Sequence, residues 1–147
     1  MEEKNKYFVE IRRDILRRAA VIGTCMTTSG AAKHQELISA VAPKVIICEE
    51  AAEVVEPQIL ATLTPSTQHL ILIGDHIQLP QIQTYNLSSD SPIGRHYNLD
   101  VSLMERLVTA KVNPLPLSQL TIQRRMRPEI SSLIRNTLYP KSKPRGW

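Results

Sequence analysis

Two short, unbroken apolar runs decide what this chain can fold into. They are Val45-Ile46-Ile47-Cys48 and Leu70-Ile71-Leu72-Ile73, which start 25 residues apart. An apolar run without polar alternation is the pattern of a strand covered on both faces, as in a parallel sheet with helices above and below. The spacing leaves room for one helical crossover, so the two runs predict a βαβ unit. Each run ends directly in residues able to do chemistry, Glu49 and Glu50 after the first, Gly74 and Asp75 after the second. Ligand sites of open parallel sheets lie at such carboxyl ends.

The surrounding pattern predicts further elements. Residues 4–18 read as an amphipathic helix, with Phe8, Ile11, Ile15 and Leu16 on one side and arginines on the other. A helix is expected over His34–Val41, stopped by Pro43. Another is expected over Glu53–Leu63, with Pro57 interrupting its early part, and a short one over Ser102–Thr109 with Ser102 as its cap. Residues 80–98 are rich in Ser, Asn, Pro and Gln and read as a long surface loop. A third strand is expected within Leu115–Ile122, and Pro128 opens a helix reaching Leu138. Strands alternating with helices predict a layered α/β fold with a mostly parallel sheet.

Several classes are excluded. Neither apolar run is long enough to span a bilayer. The opening MEEKNKYFVEIRRD holds no apolar signal core, and Cys25 and Cys48 are the only cysteines. Two cysteines make neither a disulfide scaffold nor a four-cysteine zinc site. The expectation is a reduced intracellular protein, nuclear or cytoplasmic, with no membrane role.

Charge is unevenly placed. Residues 121–147 carry Arg124, Arg125, Arg127, Arg135, Lys141, Lys143 and Arg145 against Glu129 alone, a local +6. Residues 45–110 carry eight acidic groups against Arg95 and Arg106, a local −6. A basic end beside an acidic middle fits a protein that handles a polyanion through a metal ion. A solvated helix face with a basic tail accounts for the charge equally well.

Three segments carry the candidate chemistry. In VIICEEAAEVVEP, adjacent carboxylates at a strand end suit Mg²⁺ held by Glu49 and a water activated by Glu50. The competing reading is an acidic first turn of the following helix. In GDHIQLP (residues 74–80), Gly74 permits close backbone approach, Asp75 offers a charged contact and Gln78 can bind a terminal phosphate or the attacking water. In LTIQRRMRPEIS (residues 120–131), Arg125 precedes a Pro-started helix, where a guanidinium can stabilise charge on a transferring phosphoryl group.

In this order EEAAEVVEP, GDHIQLP, SLMERL (residues 102–107) and QRRMRP (residues 123–128) resemble the motifs of superfamily 1 helicases. The likeness is to the group that contains the nonsense-mediated decay helicase and senataxin. Within it, the EEAAE box and NLDVSLMERL look most like the helicases with NFX-type zinc fingers that act in RNA silencing and surveillance. The resemblance covers roughly residues 19–140. It implies an incomplete RecA-like P-loop NTPase fold: the back half of a first RecA-like domain over residues 19–112, and the first strand and helix of a second over 113–147. Residues 1–18 would then be a helix of the preceding region.

The resemblance also implies roles. Glu49 stands at the Mg²⁺-coordinating position, Glu50 at the catalytic Glu, and Gln78 at the Gln that senses the γ-phosphate, with Asp75 as its motif neighbour. Gln123 and Arg125 match the Gln and Arg of a Q-Y-R motif, Arg125 reaching the γ-phosphate of ATP. VIGTCMTTSG (residues 21–30) makes Thr24 and Thr27 candidates for nucleic-acid phosphate contacts, and the local +6 of residues 121–147 adds Arg124 and Arg127. The implied partners are single-stranded RNA or DNA and the remaining helicase segments of a parent protein. Three positions depart from the pattern: Glu49 replaces Asp, Arg124 replaces Tyr, and Gln81 follows Pro80 where a second Pro is common.

No G-x-x-x-x-G-K-[ST] loop is present, since the five glycines stand at 23, 30, 74, 94 and 146 and none precedes Lys. That loop supplies the backbone cradle and the Lys for a triphosphate. The expectation is therefore a fragment of an ATP-dependent helicase core, with two rivals. One is a non-enzymatic remnant with weak nucleic-acid binding. The other is a metal-dependent hydrolase built on Glu49, Glu50 and Asp75.

Overall fold

The computed structural model of the chain describes residues 2–25, 35–78, 88–141 and 143–144. They fall into two compact units, Met1–Thr109 and Ala110–Trp147.

In the first unit, β1 (Val45–Cys48) and β2 (His69–Leu72) pair in parallel, Val45 opposite His69 and Cys48 opposite Leu72. β1 is the predicted run, and β2 lies one residue earlier than expected. Beyond the ladder, Ile73 N donates to Cys48 O at 2.8 Å. The expected burial on both faces is not what forms. Ile46, Cys48, Leu70 and Leu72 turn inward, whereas Val45, Ile47, Ile71 and Ile73 are exposed. The inner face rests on a small core of Cys48, Ala51, Ile59, Leu103 and Met104, with Leu70, Leu72 and Leu107 packed against it. No described element covers the other face.

Helix α1 (Glu2–Arg17) lies beside α2 (Gln35–Val41), and Arg17 Nε donates to Ala40 O at 3.1 Å. The half-buried line of α1 is Val9, Arg13 and Leu16, spaced for one helical face. The expected apolar side is therefore displaced: Phe8, Ile11 and Ile15 are exposed. α2 ends where Ala42 takes φ 54°, a left-handed residue directly ahead of Pro43. His34 lies outside the described residues.

Helix α3 (Glu56–Leu60) is shorter than expected because Pro57 starts it rather than interrupts it. In the first turn the missing Pro N–H has no intrahelical partner to lose. The side chain of Ile59 on this helix is fully buried. Full burial of such a side chain is worth about 1.5–3 kcal/mol. Thr62 Oγ1 donates to Ile59 O at 2.7 Å just past the helix end.

Residues 80–87 of the expected loop lie outside the described residues. The rest is partly ordered into α4 (Gly94–Tyr97), and Ser91 and Gly94 are buried. Ser91 Oγ accepts from Gly94 N at 2.8 Å and so opens this single turn. Helix α5 (Leu103–Val108) forms as read, with Ser102 Oγ accepting from Glu105 N at 3.1 Å.

In the second unit, β3 (Ile122–Gln123) and β4 (Lys143–Pro144) pair in parallel around α6 (Pro128–Arg135), a minimal βαβ arrangement. The expected strand over 115–122 shrinks to its last residue plus Gln123. Pro114 and Pro116 remove donors from this stretch, and Leu120 is 93% exposed. α6 starts at Pro128 as predicted and ends at Arg135, with residues 136–138 in turns.

Both sheets are parallel, but each has two strands, so the mostly parallel α/β reading holds only at this scale. Among the described residues a complete layered sheet does not form. Among the described residues no helix is long and apolar enough to cross a membrane.

Candidate functional site

The carboxyl ends of β1 and β2 meet. After Cys48 the chain turns at Glu49 and Glu50, and Glu50 adopts φ 53°. A left-handed non-glycine residue is uncommon and reverses the chain sharply. Glu53 N then donates to Glu50 O at 2.9 Å, and Ala51 N donates to Ile73 O at 2.8 Å. The acidic turn is thereby pinned to the end of the second strand.

Gly74 allows this closeness. A Cβ there would stand 3.0 Å from the backbone nitrogens of Ala51 and Ala52 and 3.3 Å from Met104 Sδ. Two of those neighbours are backbone, so any side chain would push the strand ends apart. Immediately after, Asp75 folds its turn around itself. Its Oδ1 accepts from Ile77 N at 3.1 Å and its Oδ2 from Gln78 Nε2 at 3.3 Å. Asp75 and Gln78 are thus brought together, and the Glu49–Glu50 turn is joined to their segment through Ala51 and Gly74.

Glu49 and Glu50 are exposed, and neither side chain has a hydrogen-bond or ion-pair partner among the described residues. Among those residues no three His, Cys, Asp or Glu side chains group to hold a metal ion. The hydrolase reading that needs Glu49, Glu50 and Asp75 as one cage loses its geometry. Cys48 is buried, and burial pushes its thiol up, which suits a core residue rather than a nucleophile.

The remaining candidates lie elsewhere. Thr24 is exposed in an irregular stretch, and Thr27 lies outside the described residues. In the second unit Arg124, Arg125 and Arg127 are all exposed, and none of their side chains has a partner among the described residues. Arg127 is the extended residue that precedes α6. Gln123 faces its own turn: Nε2 donates to Met126 O at 2.9 Å and Oε1 accepts from Met126 N at 2.5 Å.

Sequence reasoning missed two interactions near the site. Arg106, inside SLMERL, grips Glu56 with two bonds of 2.6 and 2.7 Å, and Val55 bridges Ser102 beside them. Together they fasten the start of α3 to α5. The second is Asp100, whose Oδ2 accepts from Ser89 N and Ser89 Oγ, both at 2.9 Å, and from Ser88 Oγ at 3.2 Å. Burial works to raise the Asp100 carboxyl, but these bonds outweigh it and hold the carboxyl low. The only sequence signal for either was an unexplained charge inside a motif.

The Glu56 pair carries a pH prediction. The bond from Arg106 holds the Glu56 carboxyl below the ordinary carboxylate range, and Arg106 is correspondingly raised. A depressed acid stabilises the fold above its unfolded pKa, and that contribution is lost as pH falls through the folded value. The Arg106 side chain is 53% exposed, so solvent screens the pair. Glu56→Gln should therefore cost about 0.5–1 kcal/mol at neutral pH. Urea unfolding of both proteins as the pH is lowered should show the difference vanish below the carboxylate range. A difference that stays constant would mean the pair contributes nothing through its charge.

A family model described as an AAA domain matches residues 2–83 of the chain. The chain is 49% identical over 126 residues to mouse NFX1-type zinc finger-containing protein 1, an overlap of 85% of this chain and 6% of the mouse protein. To the Schizosaccharomyces pombe Helicase required for RNAi-mediated heterochromatin assembly 1 it is 43% identical over 121 residues, 82% of this chain and 11% of that protein. Caenorhabditis elegans Regulator of nonsense transcripts 1 is 30% identical over 133 residues, 90% of this chain and 11% of its own length. The chain spans only a small part of each of these relatives. No solved structure matches it.

Proposed function

We propose, for a chain that belongs to the AAA domain family and is homologous to the NFX1-type zinc-finger helicases of superfamily 1, that it is the part of a RecA-like helicase core that reads the γ-phosphate of ATP and touches single-stranded nucleic acid. In the parent protein this part serves the coupling of Mg-ATP hydrolysis to movement along RNA or DNA. The observation that carries the reading is the pinned junction of Glu49–Glu50 with Gly74–Gln78 at the strand ends.

The donor set fits Mg²⁺, which takes one or two carboxylates and leaves its other positions to water and phosphate oxygens. Glu49 is the residue to hold it, and the ion would neutralise phosphate charge. Glu50 takes the proton of the attacking water. Asp75 holds Gln78 by its Nε2, which leaves Oε1 to accept from that water. Arg125 answers charge on the γ-phosphate, while Thr24, Thr27, Arg124 and Arg127 meet the strand. Such a protein works inside the cell, in nucleus or cytoplasm.

A second reading, weak nucleic-acid binding without catalysis, is favoured for the isolated chain by the lack of a phosphate loop in its 147 residues. Both readings require binding. With Arg124 and Arg127 as the two phosphate contacts, affinity for single-stranded RNA should fall about sevenfold between 50 and 200 mM salt, from a slope of roughly −0.7 per phosphate. Arg124→Glu and Arg127→Glu should each weaken binding and flatten the slope. The check is a titration of labelled single-stranded RNA and DNA at both salts. Binding indifferent to salt and to both reversals would reduce the basic segment to a solvated surface.

A further inference from the structure

We infer that Gln123 is a positioning residue that sets the aim of the arginines after it; this rests on the reading of Arg124, Arg125 and Arg127 as polyanion contacts. One carboxamide bonds the backbone of a single residue, Met126, through both of its polar atoms, Nε2 at 2.9 Å and Oε1 at 2.5 Å. That is the bonding a facing strand residue would offer, supplied here by a side chain. No backbone hydrogen bond closes residues 123–126 among the described residues, so the amide is what closes this turn.

The enclosed residues are Arg124 and Arg125, exposed and with no side-chain partner among the described residues. Arg127 follows at once as the residue leading into α6. Among the described residues no other hydrogen bond holds residues 124–126. The closed turn also places Met126 to hand the chain to Pro128, whose helix is held at its start by Ser131 N donating to Arg127 O at 2.9 Å. Gln123 is anchored from behind by β3, where it pairs with Pro144. A long, flexible arginine binds an anion better when its backbone is already set, because less conformational freedom is lost on binding.

The test uses the full chain with Gln123→Ala and Gln123→Met, the second keeping the volume while removing both bonds. Labelled single-stranded RNA is titrated at 50 and 200 mM salt, in the wild-type background and in an Arg124→Ala/Arg127→Ala background. Each Gln123 variant should weaken binding about fivefold, the scale of losing a hydrogen-bonded clasp. It should also flatten the salt dependence although Gln carries no charge. In the double-arginine background it should change affinity little, since a residue acting through others has no effect once they are gone. Amide resonances of residues 128–135 report whether α6 persists in each variant.

An equal loss in both backgrounds, or none in either while the Met126 amide shifts, overturns the inference. If the wild type binds no RNA, the polyanion reading fails instead. The inference is then decided by the side-chain resonances of Arg124 and Arg125, which must move on Gln123→Met and must not move if Gln123 positions nothing.

Discussion

Grafted into the fission-yeast helicase in place of its matching segment, this chain should support ATP hydrolysis, and Glu50→Gln should slow that hydrolysis by about 10²–10⁴-fold, the usual contribution of a positioned general base. The expectation rests on where the turn holds Glu50. Its left-handed backbone, the Ala51 bond to Ile73 and the tight seat of Gly74 hold the backbone that carries Glu50 at the strand end. Gln is nearly the same shape and keeps hydrogen bonding, but it cannot take a proton. RNA binding of the graft should be unchanged, because Glu50 is not among the residues assigned to the strand. The isolated chain should show no turnover, since phosphoryl transfer depends on positioning the phosphates and no loop for that purpose is present. Hydrolysis by the graft that ignores Glu50→Gln would remove Glu50 from the chemistry. Turnover by the isolated chain that Glu50→Gln abolishes would show that the missing loop is dispensable.

Part of this was legible in the sequence, and the division has physical reasons. Local signals read well. β1 lies where an apolar run is bounded by Pro43 and Glu49, Ser102 caps a helix three residues before Glu105, and Pro128 opens α6. Each depends on neighbours in the chain, and propensity or capping settles it. The bond joining the two strand ends follows from the parallel pairing of the same two runs.

What failed was whatever depends on partners far away in the chain. Val45, Ile47, Ile71 and Ile73 have the composition of a doubly covered strand, yet only one face meets a helix. Phe8, Ile11 and Ile15 form a helical stripe, but the side of α1 that is half-buried is set by α2. Glu56 and Arg106 are 50 residues apart, and no pattern announces their pairing. At closer range, Gln123 bonds the backbone of Met126, three residues on, a turn that the resemblance gives no sign of. A polar side chain satisfied by its own turn looks, in sequence, the same as one waiting for a ligand.

The uneven covering of the sheet gives the sharpest stability contrast. Ile59→Ala should destabilise the chain by about 2–5 kcal/mol, the range for truncating a buried aliphatic side chain. Ile59 is fully buried, and among the described residues the core it completes is Cys48, Ala51, Leu103 and Met104, with Leu70, Leu72 and Leu107 packed against it. So few neighbours have little capacity to close the resulting cavity, and a loss of this size rivals the whole stability of a small domain. Ile47→Thr, a β-branched exchange at a residue 62% exposed on the bare face, should change stability by no more than about 0.5 kcal/mol. Urea unfolding of the two variants beside the wild type measures both quantities at once. A large cost at Ile47 would mean that the outer face is covered in solution. Equal small costs would mean that the Cys48–Met104 cluster does not act as the core. If Ile59→Ala leaves no cooperative transition while Ile47→Thr unfolds like the wild type, stability is concentrated under the inner face, the one that holds the acidic turn against the second strand.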